Sequence, residues 1–317
     1  MTPDPEPSRG AHPLTGPVAV TLAVGVCWLV LPFTAGEAFD AAVAGRAPLA
    51  RWVVGVGAWA LWALGAVVLA VPRTTSLTVA RFVLPVGFAA SLAALVVAAS
   101  GDDPGADVGV LAVVGVTAAG VAAVLALSAP FGDRWVNGSS YGAERRFALR
   151  PTAAMVVIAP LLWILVTAAV AVGPLLVAGD LVAVGVVATL AGWATAFVVV
   201  RRAHVLSRRW LVLVPAGVVI HDPLVLTDSL LVQRRALAGI GPAAAHTTAR
   251  DLTGGALGLA LEVRLGEPTS ILTNAARREA GGSLTAPGEQ VEAVLVTPSR
   301  PGAVVREATA RRLPSLN

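Results

Sequence analysis

Hydrophobic residues form long uninterrupted runs in the first two thirds of the chain and short alternating stretches in the last third. Six of the long runs have 17 to 20 residues each and contain no charged residue or histidine. A helix of that length reaches about 26–30 Å, close to the hydrocarbon thickness of a bilayer. The pattern therefore predicts a membrane α-helical bundle of six transmembrane helices over residues 17–200. These are Pro17–Phe33, Trp52–Val71, Phe82–Ala99, Gly109–Ser128, Ala153–Val172 and Leu181–Val200.

The first run is short enough to be compared with a signal peptide. The residues before it are acidic and rich in proline, with Asp4 and Glu6 among them, and no small-residue cleavage motif follows. Secretory signal peptides begin instead with a positively charged region. The run is therefore predicted to be an uncleaved span, preceded by a disordered cytoplasmic N-terminus over residues 1–16.

Beyond Arg201 the periodicity changes from helical to two-residue. In residues 257–265 leucine and valine alternate with smaller or polar residues, as in a strand with one buried face. A last amphipathic segment begins at Pro301, a favoured first position of a helix. The pattern predicts a small cytoplasmic β-rich domain over residues 201–313 with one C-terminal helix, and then a tail at residues 314–317. The other predicted strands are Trp210–Val214, Val218–His221, Leu224–Arg234, Leu237–Ile240, Thr269–Thr273 and Val291–Thr297.

This order of elements resembles the bacterial pleckstrin-homology-like (PH-like) domains that are attached to membrane spans. The resemblance rests on the opening hairpin, RRWLVLVPAGVVIHDP (Arg208–Pro223), and on the closing strand and helix, VLVTPSRPGAVVREA (Val294–Ala308). It implies a bent seven-stranded antiparallel barrel, closed at one end by the C-terminal helix, over residues 205–313. No binding residue follows from it, because the shared pattern is architectural. The spans resemble only the broad class of multi-pass membrane proteins of actinobacterial, high-GC Gram-positive type.

Composition narrows the class of protein further. Hydrophobic residues make up 56% of the chain and charged residues only 13%, about half the roughly 25% of soluble proteins. These values exclude a soluble globular enzyme, a disordered chain and a secreted disulfide scaffold. A single cysteine, Cys27, also excludes an internal disulfide. All 23 basic residues are arginine, which together with abundant Ala, Val and Gly indicates a high-GC bacterial genome.

The arginines also predict the orientation. With six spans, eleven arginines lie near the membrane on the side of both termini, and only Arg46 and Arg51 lie on the other side. Loops that are rich in Arg or Lys stay in the cytoplasm. Residues 1–200 carry 9 arginines against 10 acidic residues, and residues 201–317 carry 14 against 9. We therefore predict a multi-pass protein of the bacterial cytoplasmic membrane, with both termini cytoplasmic and a basic domain on that side.

Two arginine-rich segments flank the predicted spans on that side. Residues 129–152 contain the turn dipeptide Asn137-Gly138 and are interpreted as an interfacial hairpin, with a specific lipid-phosphate site as the alternative. Residues 201–209 follow the last span and carry four arginines. Guanidinium groups match phosphate geometry and gain energy near anionic headgroups. The candidate contacts with anionic lipid are Arg134, Arg145, Arg146, Arg150, Arg201, Arg202, Arg208 and Arg209.

The sequence favours binding over catalysis. The predicted spans hold no ionisable group, which coupled transporters and intramembrane enzymes usually need. His221-Asp222-Pro223 is interpreted as a turn at a strand end, and no metal-ligand spacing or catalytic motif is present, so no cofactor is predicted. Nucleic acid is not predicted as a partner, because Trp210 is the only aromatic residue after residue 200.

The preferred hypothesis is a non-enzymatic membrane protein that presents a PH-like docking domain at the envelope. Its predicted partners are anionic lipid headgroups and a protein, and its oligomeric state stays open. The alternatives are a transporter or channel component and an enzyme that acts on lipid-linked phosphates. That enzyme would use Asp133 or Glu144 together with the arginines of residues 129–152.

Overall fold

The computed structural model describes residues 16–100, 109–178, 181–281 and 288–316. The first part of the chain forms a bundle of apolar helices, and the last part contains two β-sheets. All but the last residue of the N-terminal segment predicted as disordered lies outside the described residues. The bundle helices are α1 (Pro17–Leu29), α2 (Leu31–Thr34), α3 (Gly36–Ala42), α4 (Pro48–Ala70), α5 (Thr74–Ala99), α6 (Val110–Ala126), α7 (Ala129–Asn137), α8 (Ala153–Ala178) and α9 (Val182–Ala203).

The structure confirms a bundle of apolar, membrane-length helices, but within the described residues fewer helices than predicted are long enough to cross a membrane. Helices α4, α5, α8 and α9 are long and apolar enough to cross a membrane, and α6 with α7 adds a fifth span if that pair, bent by 64°, is counted as one. The first predicted span is instead divided into short helices, of which α1 has 13 residues. Its continuation is blocked by Pro32, because a proline ring inside a helix clashes with the carbonyl of residue i−4, here Trp28.

Trp28 is the centre of the core of the bundle. Its side chain is 1% exposed. Its indole packs between Gly65 of α4 and Gly87 of α5, and a methyl group on either glycine would overlap the ring. The indole Nε1 of Trp28 donates to the carbonyl of Trp62 at 2.9 Å, and Nε1 of Trp62 donates to the carbonyl of Trp28 at 3.1 Å. The carbonyl of Trp28 loses its usual i+4 donor to Pro32, and it accepts instead from a capping backbone N–H at the end of α1 and from the indole of Trp62.

The strands form two four-stranded sheets, ordered β1-β2-β3-β4 and β5-β7-β8-β6. Their pairs are antiparallel except for the parallel pair of β6 and β8. One hydrophobic core, which includes Leu213, Ile220, Val263 and Val294, joins both sheets to the C-terminal helix. The sheets and two helices form what we call the sheet domain. Its elements are β1 (Arg145–Ala148), β2 (Trp210–Val214), β3 (Gly217–His221), β4 (Leu230–Gln233), β5 (Leu237–Pro242), β6 (Arg250–Asp251), β7 (Leu261–Ile271), β8 (Glu289–Val296), α10 (Asn274–Glu279) and α11 (Pro301–Ala310).

A domain that contains sheets was predicted, but its details differ. The described strands do not close into the single seven-stranded barrel that the resemblance implied. The strand expected from residue 257 begins at Leu261, because Leu257 and Leu259 are 74% and 53% exposed and lie outside the core. The strand predicted at 269–273 is the continuation of β7 through a register shift. In the predicted tail, Pro314 accepts a hydrogen bond from the backbone of Ile240 in β5 at 3.0 Å.

The segment 129–152 differs most from its prediction. It was interpreted as an interfacial hairpin, yet it forms α7 and then β1, which pairs with β2 from Arg145↔Leu213 to Ala148↔Trp210. Leu149 then forms a bridge with Pro298, just after β8. A segment between two bundle helices therefore supplies an edge strand and links the two sheets, because β2 offers it unpaired backbone groups and a buried face for Phe147.

Candidate functional site

A buried ion pair lies where the bundle meets the sheet domain. Arg209 donates from Nε and Nη2 to the two carboxylate oxygens of Asp222, at 2.8 and 2.7 Å. The two side chains are 1% and 0% exposed. The third nitrogen, Nη1, donates to the carbonyl of Arg150 at 2.7 Å. This fork joins the hairpin of β2 and β3 to the chain that leads into α8, since bidentate pairs restrain both partners strongly.

Asp133 is the second polar residue of this junction. It belongs to α7 and is fully buried. Its Oδ1 accepts from the backbone N–H of Ala148 in β1 and from the hydroxyl of Ser299, both at 3.0 Å. Its Oδ2 lies 4.0 Å from Nη1 of Arg300, at the start of α11. The carboxylate of Asp133 therefore contacts two segments of the sheet domain, β1 and the residues at the start of α11.

Replacing Asp133 by alanine is expected to loosen this contact. The change leaves a buried N–H of β1 and the hydroxyl of Ser299 without an acceptor, which costs about 1–3 kcal/mol. Amide hydrogen exchange of residues 145–149 in the purified full-length protein should then become faster. Asp228→Ala, at an exposed aspartate, is the matched control and should leave the exchange unchanged. Equal protection in both variants would contradict the role of Asp133.

The eight arginines predicted to contact lipid separate into three groups. Arg209 has the structural role described above in place of the predicted contact. Arg145, Arg146 and Arg150 are half-buried. The exposed arginines are Arg134, Arg201, Arg202 and Arg208. Of the eight, only these last four are exposed: Arg134 lies on α7, Arg201 and Arg202 lie in the last turn of α9, and Arg208 follows that helix.

The half-buried arginines belong to the sheet domain or contact it: Arg145 and Arg146 lie in β1, and Arg150 follows that strand. Arg146 forms an ion pair with Glu144 at 3.2 Å and lies 5.5 Å from the ring centroid of Trp210. That ring stacks on His221 with centroids 4.8 Å apart. Burial, and next the charge of Arg208, lower the pKa of His221, so the imidazole is neutral near pH 7. His221 is therefore part of an aromatic stack at the end of β3.

A cavity of about 480 Å³ lies between the bundle and the sheet domain, and we call it the junction cavity. Such a volume is within the usual range of small-molecule sites. Its walls come from the start of α5, the end of α6, α7, the end of β1, the first turns of α8 and the end of α9. The lining residues are Thr78, Arg81, Phe82, Leu127, Ala129, Gly132, Ala148, Leu149, Arg150, Pro151, Met155, Val156, Ala159, Pro160, Leu162, Trp163, Ala203, Leu206, Ser207 and Ser299.

Arg81 is the residue of this cavity that the sequence analysis missed. It was placed in a loop before the third predicted span, but α5 begins at Thr74 and carries Arg81 about 10 Å along its axis. The available signal was the run Thr74, Thr75 and Ser76 just before Leu77, because Ser or Thr immediately before the first apolar residue often marks the start of a helix. An ionisable group inside such a helix indicates a functional site by default.

A loop of the sheet domain also approaches the start of α8. The carbonyl of Leu257 accepts from Nη1 of Arg150 at 3.1 Å. Gly254, at φ +63°, packs so closely that a methyl group there would lie 2.7 Å from Cγ2 of Thr152. The exposed side chains of Leu257 and Leu259 therefore lie in a loop whose backbone contacts the residues that lead into an apolar helix.

The described residues contain no group of three or more side chains suited to hold a metal ion. Comparison with known proteins also gives no assignment, since no protein family, curated protein or solved structure matches this chain. The arrangement of arginines, apolar residues and the junction cavity must therefore carry the functional argument.

Proposed function

We propose that the chain is an integral protein of the bacterial cytoplasmic membrane, of non-enzymatic type, that holds its sheet domain against the inner face of the membrane. There the domain docks anionic lipid headgroups and, on its remaining surface, a protein partner. In this proposal the exposed arginines Arg134, Arg201, Arg202 and Arg208 contribute about 1 kcal/mol each near the anionic surface.

The observation that carries the proposal is that the sheet domain is built into the bundle and does not hang from a linker. Strand β1 comes from between α7 and α8, and Arg209 and Asp222 are buried where β2 leaves the bundle. A domain attached at two points of the chain has a restricted orientation. The loop that contains Leu257 and Leu259 would then face the lipid. This placement is favourable because it covers exposed apolar side chains.

The proposal includes a six-span topology with both termini in the cytoplasm. Helices α1 and α2 together cover Pro17–Thr34 and would form the first crossing as a broken helix. In support, α1 packs against α6 and α7, while α2 packs against α6 and α3 against α5 and α6. A methyl group on Gly115, near the start of α6, would meet the backbone of Ala35, which follows α2. Both ends of α6 thus have a neighbour from this segment. The PH-like relationship of the sheet domain is likewise part of the proposal, supported by its opening hairpin and closing helix.

Photo-crosslinking in cells tests the orientation of the sheet domain. A photoreactive phenylalanine analogue at Leu257 should give adducts with phospholipid, detected by mass spectrometry of the purified protein. The matched position is Thr309, which is exposed near the end of α11. It lies about 13 Å along that helix from the Asp133–Arg300 contact, and it should give few lipid adducts.

Two results would contradict the proposal. Equal lipid labelling from Leu257 and Thr309, or none from either, would mean that the domain is not held against the membrane in this orientation. Substrate-specific flux of small solutes into vesicles that contain the purified chain would favour a transporter or channel component instead.

A further inference from the structure

The junction cavity combines two cationic side chains with a largely apolar wall. Among the described residues that line it, only Arg81 and Arg150 are charged. The apolar part comes from α5, α8 and α9 and includes Phe82, Met155 and Trp163. A cavity that is positive at one place and apolar elsewhere is complementary to an anionic amphiphile, because each part of such a ligand finds a matching surface.

Arg81 is the more informative of the two arginines. Within the described part of the chain it makes no hydrogen bond or ion pair, and its Nε is completely covered by protein. The charge of Asp133 acts on it, but the two side chains form no ion pair among the described residues: Oδ1 of Asp133 accepts from Ala148 and Ser299, and Oδ2 has no hydrogen-bond partner. Arg81 as a whole is half-buried, and guanidinium groups that are partly removed from water are normally paired. Arg81 therefore lines the cavity with unused donors.

The surroundings of Arg81 and Arg150 restrict where an anion could lie. Nη2 of Arg81 rests against α7, where a methyl group on Gly132 would lie only 2.8 Å away. Nη1 of Arg150 donates to Leu257, whereas its Nε is covered and has no hydrogen-bond partner among the described residues. The hydroxyl-bearing residues Thr78, Ser207 and Ser299 complete the polar lining. None of the described lining residues carries a carboxylate, and Asp133, whose charge acts on Arg81, is not part of the lining. An anion in the cavity would therefore meet attraction from both arginines.

The apolar wall indicates that the anion carries a hydrocarbon chain. Lining residues from Met155 to Trp163 follow α8 over its first three turns, to a depth of about 15 Å. Val156 lines the cavity and is also 56% exposed, so the cavity wall continues onto the outer surface of α8. An acyl chain could leave the cavity along this surface, whereas a free phosphate ion would leave the apolar part unoccupied.

We propose that the junction cavity binds the phosphate headgroup of an anionic membrane lipid, with Arg81 as its main charge contact and the lipid chain along α8. The inference rests on the proposed function, in which this end of the bundle faces an anionic membrane surface. It adds one specific site to the general contact of the four exposed arginines. A bound lipid would touch α5, α7, α8 and β1 together, and so would stabilise the attachment of the sheet domain.

Native mass spectrometry of the delipidated full-length protein in detergent tests the proposal. The probes are dioleoyl phosphatidylglycerol, dioleoyl phosphatidylcholine and inorganic phosphate. The intact protein should bind one phosphatidylglycerol at least about tenfold more tightly than phosphatidylcholine, because a charge-assisted hydrogen bond is worth about one order of magnitude or more in affinity. Arg81→Gln should remove that preference, and Arg81→Lys should restore part of it.

Two further variants separate the site from general charge and from misfolding. Arg134→Gln removes an exposed arginine and should change the affinity less than about twofold. Ala159→Phe adds volume to the wall of the cavity on α8 and leaves both arginines in the sequence. It should weaken binding of phosphatidylglycerol by about tenfold or more. Thermal unfolding of each variant without lipid shows whether that variant is folded. If Arg81→Gln does not fold, Ala159→Phe still tests the site independently.

Three other results of the lipid-binding measurements would overturn the proposed lipid site. Unchanged lipid preference in folded Arg81→Gln, or equal binding of the two lipids by the intact protein, would overturn the proposal. Inorganic phosphate that binds as tightly as phosphatidylglycerol, and is insensitive to Ala159→Phe, would also overturn it by identifying a soluble anion as the ligand. If Leu257 still gives lipid adducts in cells under either result, the proposed function stands and only the cavity assignment fails.

Discussion

Replacing Arg209 by alanine is expected to destabilise the sheet domain by about 3–5 kcal/mol, the usual result of leaving one partner of a buried ion pair without the other. The carboxyl group of Asp222 would lose both donors of Arg209 in a site where its side chain is 0% exposed. The carbonyl of Arg150 would also lose the hydrogen bond from Nη1 of Arg209. Both losses act at the same place, between the bundle and the hairpin of β2 and β3.

Thermal unfolding and amide exchange of residues 210–221 in the full-length protein measure this effect. Arg208→Ala is the matched control, because Arg208 is the adjacent residue and is exposed. It should change the free energy of unfolding by less than about 0.5 kcal/mol. The double variant Arg209→Met with Asp222→Leu should recover most of the loss, since apolar replacements of similar size often substitute for a buried pair. If the two single arginine variants behave alike, Arg209 has no structural role of this kind.

The parts of the fold that could be predicted are those with a local cause. The hairpin of β2 and β3 was predicted almost to the residue, since Pro215-Ala216-Gly217 supplies a turn between two apolar stretches. The long apolar helices were predicted because hydrophobic length alone indicates them. The division of the first run after α1 was harder to predict. It depends on Pro32 and on a neighbouring helix that accepts and donates hydrogen bonds at Trp28.

The junction could not be predicted because its partners are distant in sequence. Strand β1 has four residues and lies among arginines, so its pattern resembles a membrane-facing loop until β2, more than 60 residues later, pairs with it. Arg209 looked equivalent to Arg208 in a basic flank. The difference between them comes from Asp222, which reaches Arg209 only after the hairpin has folded back.

The role of Arg81 in the candidate site could not be predicted for a related reason. A boundary drawn from hydrophobicity placed Arg81 one residue outside a span, and so the predicted spans held no ionisable group. The helix itself begins at Thr74, because polar residues at a helix start do not end its backbone hydrogen bonding. With α5 extending from Thr74 to Ala99, an ionisable side chain lies within a membrane-length helix.

Substituting Gly65 by alanine is expected to destabilise the bundle by about 1–3 kcal/mol, the usual cost of overpacking a core. The added methyl group would overlap the indole of Trp28, and the ring cannot shift away because Gly87 closes its other side. Trp28→Ala should cost about 3–5 kcal/mol, because it leaves a large cavity. Helix unfolding by circular dichroism in mixed micelles measures both changes without using tryptophan fluorescence.

The combined variant distinguishes a direct clash from a general defect of α4. With Trp28 already replaced by alanine, the methyl group of Gly65→Ala has free space, so its cost should disappear and the two effects should be strongly non-additive. Gly57→Ala on the same helix meets nothing within 4 Å and should be neutral or slightly stabilising, since alanine is the better helix former. Additive losses from Gly65→Ala and Trp28→Ala would show that the glycine and the indole do not share one space. The close packing of α1 on α4 and α5 would then have to come from other contacts.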